Sequence, residues 1–295
     1  MDFNDYQHRA QETDRVPKEF SSGTGENLMV PFLGLVGEAG GLLTEYKKLL
    51  RDGKAHIMFP ERVHEELGDI LWYLANIASK FNLSLDDIAE ANLKKTRDRW
   101  AGQRTLPLPF DDTALDHERF PRKFIVELQE VSVNGKKKIR GLIDGQSLGD
   151  DLTDNAYDPD GYRFHDVFHL GYVAILGWSP VVRKLMDRKR RSDEVKDEVE
   201  DGGRAQVVDE AVAALIFEYA RHHNWLVGIE HLDYELLGTV KGLTAHLEVR
   251  SRTMKDWQDA ILGGFAVWRQ VKRANGGRIE VDMDARRLSF LGPST

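Results

Sequence analysis

The sequence contains no cysteine among its 295 residues. This absence excludes disulfides, zinc–thiolate sites and cysteine nucleophiles, and it suits a reducing compartment, so we expect a cytoplasmic protein. No apolar run approaches the ~18 residues that a membrane-spanning helix needs, and no charged-then-apolar leader is visible. We therefore expect neither a membrane span nor a signal peptide.

Positive charge is also in short supply. The chain has 41 Lys and Arg against 49 Asp and Glu, which gives a net charge of −8. This balance argues against nucleic acid or an anionic membrane as the main partner. A phosphorylated small molecule stays open, because carboxylates bridged by a cation bind phosphate. The length allows one large domain or two ordinary ones.

Helical patterns dominate the first 100 residues. A first helix is predicted within residues 2–16, with Asp2 as its N-cap, and a second over residues 28–51. Residues 61–81 carry apolar side chains at the 3–4 spacing of an amphipathic helix, and Ser84 caps a fourth helix. The first part of the chain is therefore predicted to be a four-helix domain.

Proline-rich and alternating segments follow this block. Residues 102–122 contain three prolines and no helical period, which favours a linker, and Asn134–Gly135 is a hairpin turn signal between two strand-like runs. A second helical block covers roughly residues 162–274, and two short strands follow it. We therefore predict a mainly α fold with a small antiparallel β element, in three parts: a helical domain (1–104), a linker and β-hairpin (105–161), and a helical C-terminal domain that ends in a short β-hairpin (162–295).

The second helical block resembles a worn copy of the first. Residues 63–99 align without gaps on residues 207–243, and Glu66 then falls on Glu210. Either the chain contains a degenerate repeat, or two amphipathic helix pairs align at their core positions. A true repeat would let the second block stand in for the second subunit of a dimer.

Four acidic residues stand out in the first block: Glu38, Glu45, Glu66 and Asp69. Glu66 and Asp69 are three apart and Glu38 and Glu45 are seven apart, so each pair shares a helix face. If the two helices pack antiparallel, the carboxylates converge and repel, and a divalent cation relieves that repulsion. Oxygen ligands without cysteine favour Mg²⁺ or Mn²⁺. The alternative is a solvated acidic face.

Glycines accompany these acids on both helices. Gly37, Gly40 and Gly41 flank Glu38, and Gly68 lies between Glu66 and Asp69. Each interior glycine costs a helix about 1 kcal/mol relative to alanine. We therefore predict that the two helices approach each other, or a ligand, closely at the level of the acids.

Three motifs in this block resemble those of the MazG-like, all-α nucleoside triphosphate pyrophosphohydrolases. They are GLVGEAGGLLTEYKK, EELGDILWYLANIA and SLDDIAEANLKKTRDRW, and together they cover about residues 1–100. The resemblance implies a four-helix domain that binds Mg²⁺ and hydrolyses the α–β phosphate bond of a nucleoside triphosphate. It also implies a homo-oligomer, a dimer, for which the repeat offers an intrachain pseudo-dimer as the alternative.

The resemblance assigns metal ligands residue by residue. Glu38, Glu66 and Asp69 match the first, third and fourth acids of the family pattern, but the second acid is replaced by Gly41. Glu45, one turn further along the same face, is the candidate replacement. The departure leaves two alternatives, an active enzyme or a nucleotide-binding sensor or scaffold with weakened catalysis.

Further residues are assigned to catalysis and to substrate. Glu38, Glu45 or Glu65 would orient or deprotonate the attacking water. Asn92 matches a nucleotide-binding position, and Lys95 and Arg99 are four apart on the same helix, where they would clamp phosphate or merely complement the helix dipole. Tyr73 would stack on a base or belong to the core.

The second block carries its own candidate site. His165 and His169 are four apart with Asp166 between them, and Glu210 could add a carboxylate. This is a metal-ligand spacing, with core or capping histidines as the alternative. If the site is real, the chain is a bifunctional phosphohydrolase. The basic run RKLMDRKRRSD, residues 183–193, either faces a phosphate or is a solvated helix end.

Overall fold

The computed structural model describes residues 1–15, 26–100 and 108–294. The chain divides into two compact units, residues 1–97 and residues 98–295. Helices make up most of the regular structure, and a five-stranded antiparallel sheet completes it. The prediction of a mainly α fold with a small antiparallel β element is therefore confirmed. Among the described residues, no helix is both long enough and apolar enough to cross a membrane.

Four helices form where the sequence predicts them in the first part of the chain: α1 (Phe3–Ala10), α2 (Glu26–Asp52), α3 (Phe59–Lys80) and α4 (Leu85–Trp100). Asp2 caps α1, since its Oδ1 accepts a hydrogen bond of 2.7 Å from the Asp5 amide. The hydroxyl of Ser84 accepts the Asp87 amide at 3.2 Å and begins α4. Both caps satisfy amides that have no partner within their helix.

The first unit has a small core. Ala10, Ala75, Ala78 and Leu85 are buried together, with Tyr6 and Trp72 packed against them. A hydrogen bond between Gln11 and Asn76 and a buried ion pair between Lys80 and Asp14 hold α1 against α3. Much of the apolar surface of α2 faces outward in this unit, as described below.

The second unit contains five further helices and all five strands of the sheet. The helices are α5 (Asp166–Leu176), α6 (Pro180–Leu185), α7 (Gly203–Arg221), α8 (Tyr234–Leu243) and α9 (Met254–Ala274). The strands are β1 (Lys123–Val133), β2 (Lys136–Ile143), β3 (Gln146–Ser147), β4 (Gly277–Asp282) and β5 (Arg287–Gly292).

The sheet joins the two hairpins that the sequence predicts separately. Its strand order is β3-β2-β1-β4-β5, and β1 pairs with β4 from Lys123 opposite Asp282 onward. Asn134 and Gly135 turn between β1 and β2 with φ of 53° and 73°, as a two-residue hairpin requires. The segment expected to be a linker with an independent hairpin thus contributes the centre of the second unit's sheet. Its residues 101–107 lie outside the described part of the chain.

Helix α5 forms the centre of the second unit's core. All eleven of its residues are buried. A Cβ on Gly171 would lie 3.2 Å from the carbonyl oxygen of Ala260 and 3.4 Å from the Cα of Gly264, so α5 and α9 cross with their backbones almost in contact. Both helices also pack against β4 and β5. This placement fixes the start of α5, and the two histidines there, on a rigid support.

Candidate functional site

Helices α2 and α3 of the first unit meet through two glycines of α2. A Cβ on Gly34 would lie 2.2 Å from the ring of Tyr73, and a Cβ on Gly41 would lie 2.2 Å from Oε2 of Glu66. The glycines are seven apart and their partners are seven apart in the opposite direction, which is an antiparallel pairing two turns long. Gly41 therefore provides the space in which the Glu66 carboxylate lies.

The other glycines of the acidic region do not make space for a side chain of the neighbouring helix. Nothing lies within 4 Å of a Cβ built on Gly37, Gly40 or Gly68. The close helix–helix approach predicted from the glycines is therefore found at Gly41 and not at those three positions, where the approach of a ligand stays a prediction. The sequence shows which residues are glycine but not which of them face the neighbouring helix.

Glu38 and Glu66 face each other across this contact. Partial burial and then the neighbouring charge of Glu38 raise the pKa of Glu66, with smaller contributions from Asp69 and Glu65. Oε2 of Glu66 is buried and has no hydrogen-bond partner. An orphaned buried carboxylate oxygen beside a second carboxylate is a position that a cation would satisfy. The donor set thus fits Mg²⁺, which accepts oxygen ligands and keeps several waters.

Asp69 lies on the exposed surface of α3, one turn from Glu66. Its charge acts on both Glu66 and Tyr6, since it contributes to raising the pKa of each side chain. Glu38, Glu66 and Asp69 do not converge as tightly as a closed metal site: in the described part of the chain, the set of three such ligands that meets within 4.8 Å lies elsewhere. The three carboxylates accordingly form an open, loosely spaced set.

Glu45 is buried, at 6% exposure, but its carboxylate is engaged with other partners. Its Oε1 pairs with Lys48 at 2.5 Å and its Oε2 with the ring of His56 at 2.9 Å. The hydrogen bond from Lys48 contributes most to lowering the pKa of Glu45. A shift of Glu45 toward the Gly41 level would have to break both ion pairs.

The remaining predicted site residues of the first block are spread over α3 and α4. Glu65 is exposed and pairs with Arg62 at 2.8 Å, whereas Tyr73 is half-buried against Gly34 and edge-on to Trp72. Asn92 and Lys95 are exposed on α4. These positions stay predictions.

Arg99 belongs to the second unit. Its Nη2 donates a hydrogen bond of 3.0 Å to the carbonyl oxygen of Leu232, and its guanidinium lies over the rings of Trp100 and Tyr234. These contacts describe a packing role for Arg99 within residues 98–295.

The predicted histidine site does assemble. Nε2 of His165 lies 3.9 Å from Oε2 of Glu210 and 3.8 Å from Oδ1 of Asp166, and Nε2 of His169 lies 3.4 Å from the same oxygen of Glu210. His165, His169 and Glu210 each place one ligand atom within 4.8 Å of the other two. His165 immediately precedes α5, His169 lies in its first turn, and Glu210 comes from α7.

Burial and neighbouring charges shift the pKa values of the side chains in this cluster. Burial lowers the pKa of His169, but the carboxylates of Asp209 and Glu210 outweigh burial and hold that pKa well above its usual value. The neighbouring His169 lowers the pKa of Glu210, and burial raises that of Asp166. The cluster thus concentrates two imidazoles and three carboxylates at one edge of the second unit's core.

Asp209 belongs to this cluster but was not predicted from the sequence. It is fully buried, its Oδ1 bonds Nδ1 of His169 at 2.8 Å, and its Oδ2 accepts from Ser179 Oγ at 2.6 Å and from the Val181 amide at 3.2 Å. Its only sequence signal is its position beside Glu210. That signal does not reveal that adjacent acids on one helix face different neighbours.

The basic run of residues 183–193 is neither a phosphate face nor a solvated helix end at its two key arginines. Arg183 and Arg190 are 2% and 1% exposed. Arg183 pairs with Asp111 at 2.9 Å, and Arg190 pairs with Asp201 and Glu248, each at 2.7 Å. Their acidic partners are distant in sequence, so composition alone could not show the pairing.

Comparisons with known proteins place this architecture in a family. The profile described as "MazG C-terminal domain" matches residues 105–294, and the chain belongs to that family. The chain is also similar to the "Gene 37 protein" of Mycobacterium phage L5, with 35% identity over 96 residues, which is 32% of this chain and 84% of the phage protein. No solved structure matches the chain significantly.

The family relation is confirmed, but the matched segment differs from the expected one. The MazG-like motifs lie in residues 1–100, whereas the matching domain covers the sheet and helices α5–α9, for which no family was predicted. The pyrophosphohydrolase resemblance of the first block stays a prediction.

Proposed function

We propose that the chain is a Mg²⁺-dependent hydrolase that cleaves a nucleoside triphosphate at its α–β phosphate bond, releasing monophosphate and pyrophosphate. The observation that carries the proposal is the placement of Glu66 in the space left by Gly41, facing Glu38, with one buried oxygen unpartnered. Membership of the chain in a MazG family and the motifs of residues 1–100 support the same activity.

Glu38, Glu66 and Asp69 would hold the cation, Mg²⁺ or Mn²⁺. The bound ion would neutralise charge on the phosphates and acidify a water. Glu38 and Glu65 are the candidates that orient or deprotonate that water. Glu45 is the weaker candidate for both roles, because Lys48 and His56 occupy its two oxygens.

Tyr73, Asn92 and Lys95 are the proposed substrate contacts of the first unit. Tyr73 is half-buried at the same α2–α3 contact as Glu66, and Asn92 and Lys95 are exposed on α4. Arg99 stays in this set as a weaker candidate, since its guanidinium already has partners in the second unit.

We also propose that the enzyme is a homo-oligomer, with a dimer as the simplest form. An apolar stripe on α2 supports it: these side chains are 54% to 69% exposed and repeat at spacings of three, four and seven residues, at Met29, Leu33, Val36, Leu43 and Leu50, with Val30 beside them. A stripe with that period is suited to pairing helix against helix. The intrachain pseudo-dimer is the alternative.

The direct test supplies the purified full chain with Mg²⁺ and a panel of standard and modified nucleoside triphosphates, and measures pyrophosphate separately from phosphate. We expect pyrophosphate release, its loss in Asp69→Asn, and its retention in Glu61→Gln, which changes an exposed carboxylate on the same helix. Absence of turnover with every nucleotide by a folded protein would sink the proposal.

The competing function is a nucleotide-binding sensor or scaffold. Gly41 in place of the second acid, together with the open spacing of Glu38, Glu66 and Asp69, favours it. Calorimetry with a non-hydrolysable triphosphate and Mg²⁺ separates the two. Tight binding without pyrophosphate release identifies the sensor.

A further inference from the structure

The cluster of His165, His169 and Glu210 in the second unit has the organisation of a metal centre. Two imidazoles and a carboxylate converge from α5 and α7. The acids of the first unit offer only oxygen and suit a hard cation, whereas nitrogen donors suit a transition metal. The two clusters therefore differ in the metal that they favour.

Both imidazoles direct Nε2 toward the shared Glu210 oxygen, because their Nδ1 atoms are already bonded. Nδ1 of His165 bonds the carbonyl oxygen of Tyr162 at 2.9 Å, so it is the protonated nitrogen there. Nδ1 of His169 bonds the carboxylate of Asp209 at 2.8 Å. In the neutral imidazole each arrangement leaves a lone pair on Nε2. A histidine held in this way by a carboxylate or carbonyl is the usual outer shell of a metal ligand.

The supports of these bonds are themselves fixed. Ser179 and the Val181 amide hold the second oxygen of Asp209. The ring of Tyr162 stacks on His165 with centroids 4.5 Å apart and planes within 6°. The two ligand rings are therefore oriented before any ion arrives, which lowers the cost of binding one.

One buried nitrogen of the cluster lacks a hydrogen-bond partner. Nε2 of His169 is fully buried and makes no hydrogen bond, although Oε2 of Glu210 lies 3.4 Å away. Buried polar atoms in native proteins are nearly always satisfied. Ligand atoms around a tetrahedral zinc ion, bonded at about 2.1 Å, stand about 3.4 Å apart. The 3.4 Å and 3.9 Å separations are thus close to those of an occupied site.

We propose that His165, His169 and Glu210 bind a divalent transition-metal ion of the zinc, iron(II) or manganese class. Three protein ligands leave a coordination position open, which is the pattern of catalytic rather than structural centres. The Glu210 side chain is 47% exposed and lines a cavity of about 330 Å³ together with Lys184. The carboxylate ligand of the cluster is thus reachable from solvent, beside a lysine able to attract an anionic ligand.

Asp209 is a positioning residue in this site, and Asp166 is a second carboxylate beside it. Asp166 lies 3.8 Å from Nε2 of His165 and is 9% exposed. It is placed to accept a hydrogen bond from a water on the metal or to become a fourth ligand. The site is independent of the Mg²⁺ chemistry proposed for the first unit.

The test uses the full chain with Zn²⁺ alone, followed by calorimetry, and with Co²⁺ alone, followed by visible absorption. The chain has no cysteine, so thiolates add nothing to the cobalt spectrum. We expect one tightly bound ion per chain and a cobalt spectrum of nitrogen and oxygen ligands. Binding should persist in Asp69→Asn and in excess Mg²⁺.

Three variants locate the ion. Glu210→Gln keeps the shape of a half-exposed side chain, so it should fold and bind zinc at least tenfold more weakly, and His165→Ala should abolish binding. Asp209→Asn should weaken binding about 10- to 100-fold, as expected for a residue that supports a ligand. His222→Ala is the control, since His222 also lies beside a glutamate, Glu218, but at the surface.

The alternative arrangement is a protonated His169 held between Asp209 and Glu210 without a metal. It predicts that the folded wild-type chain binds no zinc, or that Glu210→Gln and His222→Ala bind as the wild type does. Either result would overturn the proposal. Circular dichroism of each variant ensures that a lost signal reports binding and not unfolding.

Discussion

The carboxylate of Glu66 occupies the space that a side chain at position 41 would need. A Cβ on Gly41 would lie 2.2 Å from Oε2 of Glu66 and 2.6 Å from its Cδ. The resemblance of residues 1–100 to the pyrophosphohydrolases implies an acid at position 41, and a side chain there would meet the Glu66 carboxylate where it now lies. The absence of an acid at position 41 and the position of the Glu66 carboxylate are linked, because both concern the same space.

Gly41→Ala should separate fold from activity. Alanine favours the helix by up to about 1 kcal/mol, and the atom that it meets is the end of a flexible side chain, so stability should be unchanged or higher. The displaced Glu66 should lose its alignment, and pyrophosphate release should fall at least tenfold. Urea unfolding and turnover are measured together. Gly37→Ala is the control: nothing lies within 4 Å of its Cβ, so it should stabilise the helix without lowering pyrophosphate release. Equal turnover in both variants would contradict the role of Gly41.

Glu66 should make stability depend on pH in a defined direction. Its folded-state pKa is raised above the ordinary 4.5, so the folded protein loses stability as pH rises from about 4.5 through the raised value. Glu66→Gln removes this loss and should melt higher than the wild type at pH 7 without divalent ions, and equally at pH 4. Glu61→Gln serves as the control, and Mg²⁺ should raise the melting temperature of the wild type and of Glu61→Gln but not that of Glu66→Gln. A Glu66→Gln effect that is the same at both pH values would refute the assignment.

Asp111→Asn should be strongly destabilising. Burial raises the pKa of Asp111, but Arg183, the Phe120 amide and Arg122 outweigh it and hold that pKa below its usual value. The variant removes the closer of two carboxylates beside Arg183, which is 2% exposed and keeps only Asp201 at 3.7 Å, and breaking such a buried ion pair costs about 3–5 kcal/mol. Chemical denaturation measures the loss. It should shrink as pH falls below the ordinary 3.8, through the folded pKa of Asp111, and the exposed neighbour Asp112→Asn should show no such loss.

Arg99 and Lys95 should behave differently when truncated. Arg99→Ala removes the hydrogen bond to Leu232 and the contacts with Trp100 and Tyr234, so it should lower the melting temperature by several degrees. Lys95→Ala should mainly raise KM for the triphosphate. Arg97→Ala, an exposed change on the same helix, is the reference for both. A large rise in KM for Arg99→Ala without loss of stability would restore Arg99 to the substrate site.

Leu43→Glu should dissociate the proposed oligomer. It places a charge in the α2 stripe, whereas Thr44→Glu adds the same charge one residue away on the same helix. Analytical ultracentrifugation over a range of concentrations should show a smaller species for Leu43→Glu and the wild-type species for Thr44→Glu. A wild-type chain that is monomeric throughout would exclude the homo-oligomer.

Local patterns predicted the elements of this fold well. The caps at Asp2 and Ser84, the period of residues 61–81 and the Asn134–Gly135 turn are each fixed by neighbours in sequence, and each forms as expected. Local patterns did not predict the pairing of strands that are far apart in the sequence. The joining of the two hairpins into one sheet depends on partners far apart along the chain.

The candidate sites were predictable to the same extent. The spacing of His165 and His169 identified a shared helix face, but the Asp209 bond and the Glu210 contact needed the packing of α7 on α5. The roles of Arg183 and Arg190 were missed because charge in a sequence indicates a surface until a buried partner is known. Glu45 looked available from spacing alone, and its ion pair with His56 crosses a helix end.

The pairing of β1 with β4 determines the order in which the two units can fold during synthesis. Lys123 finds its sheet partner only when Asp282 has been made, so during synthesis the ribosome must deliver nearly all of the second unit before its sheet can close. Contacts in the first unit, by comparison, join residues that are complete by the end of α4. All residues of the first unit are therefore present in the nascent chain while β1 and β2 still lack β4 and β5. Until those strands are made, the β1–β2 hairpin has an unpaired edge.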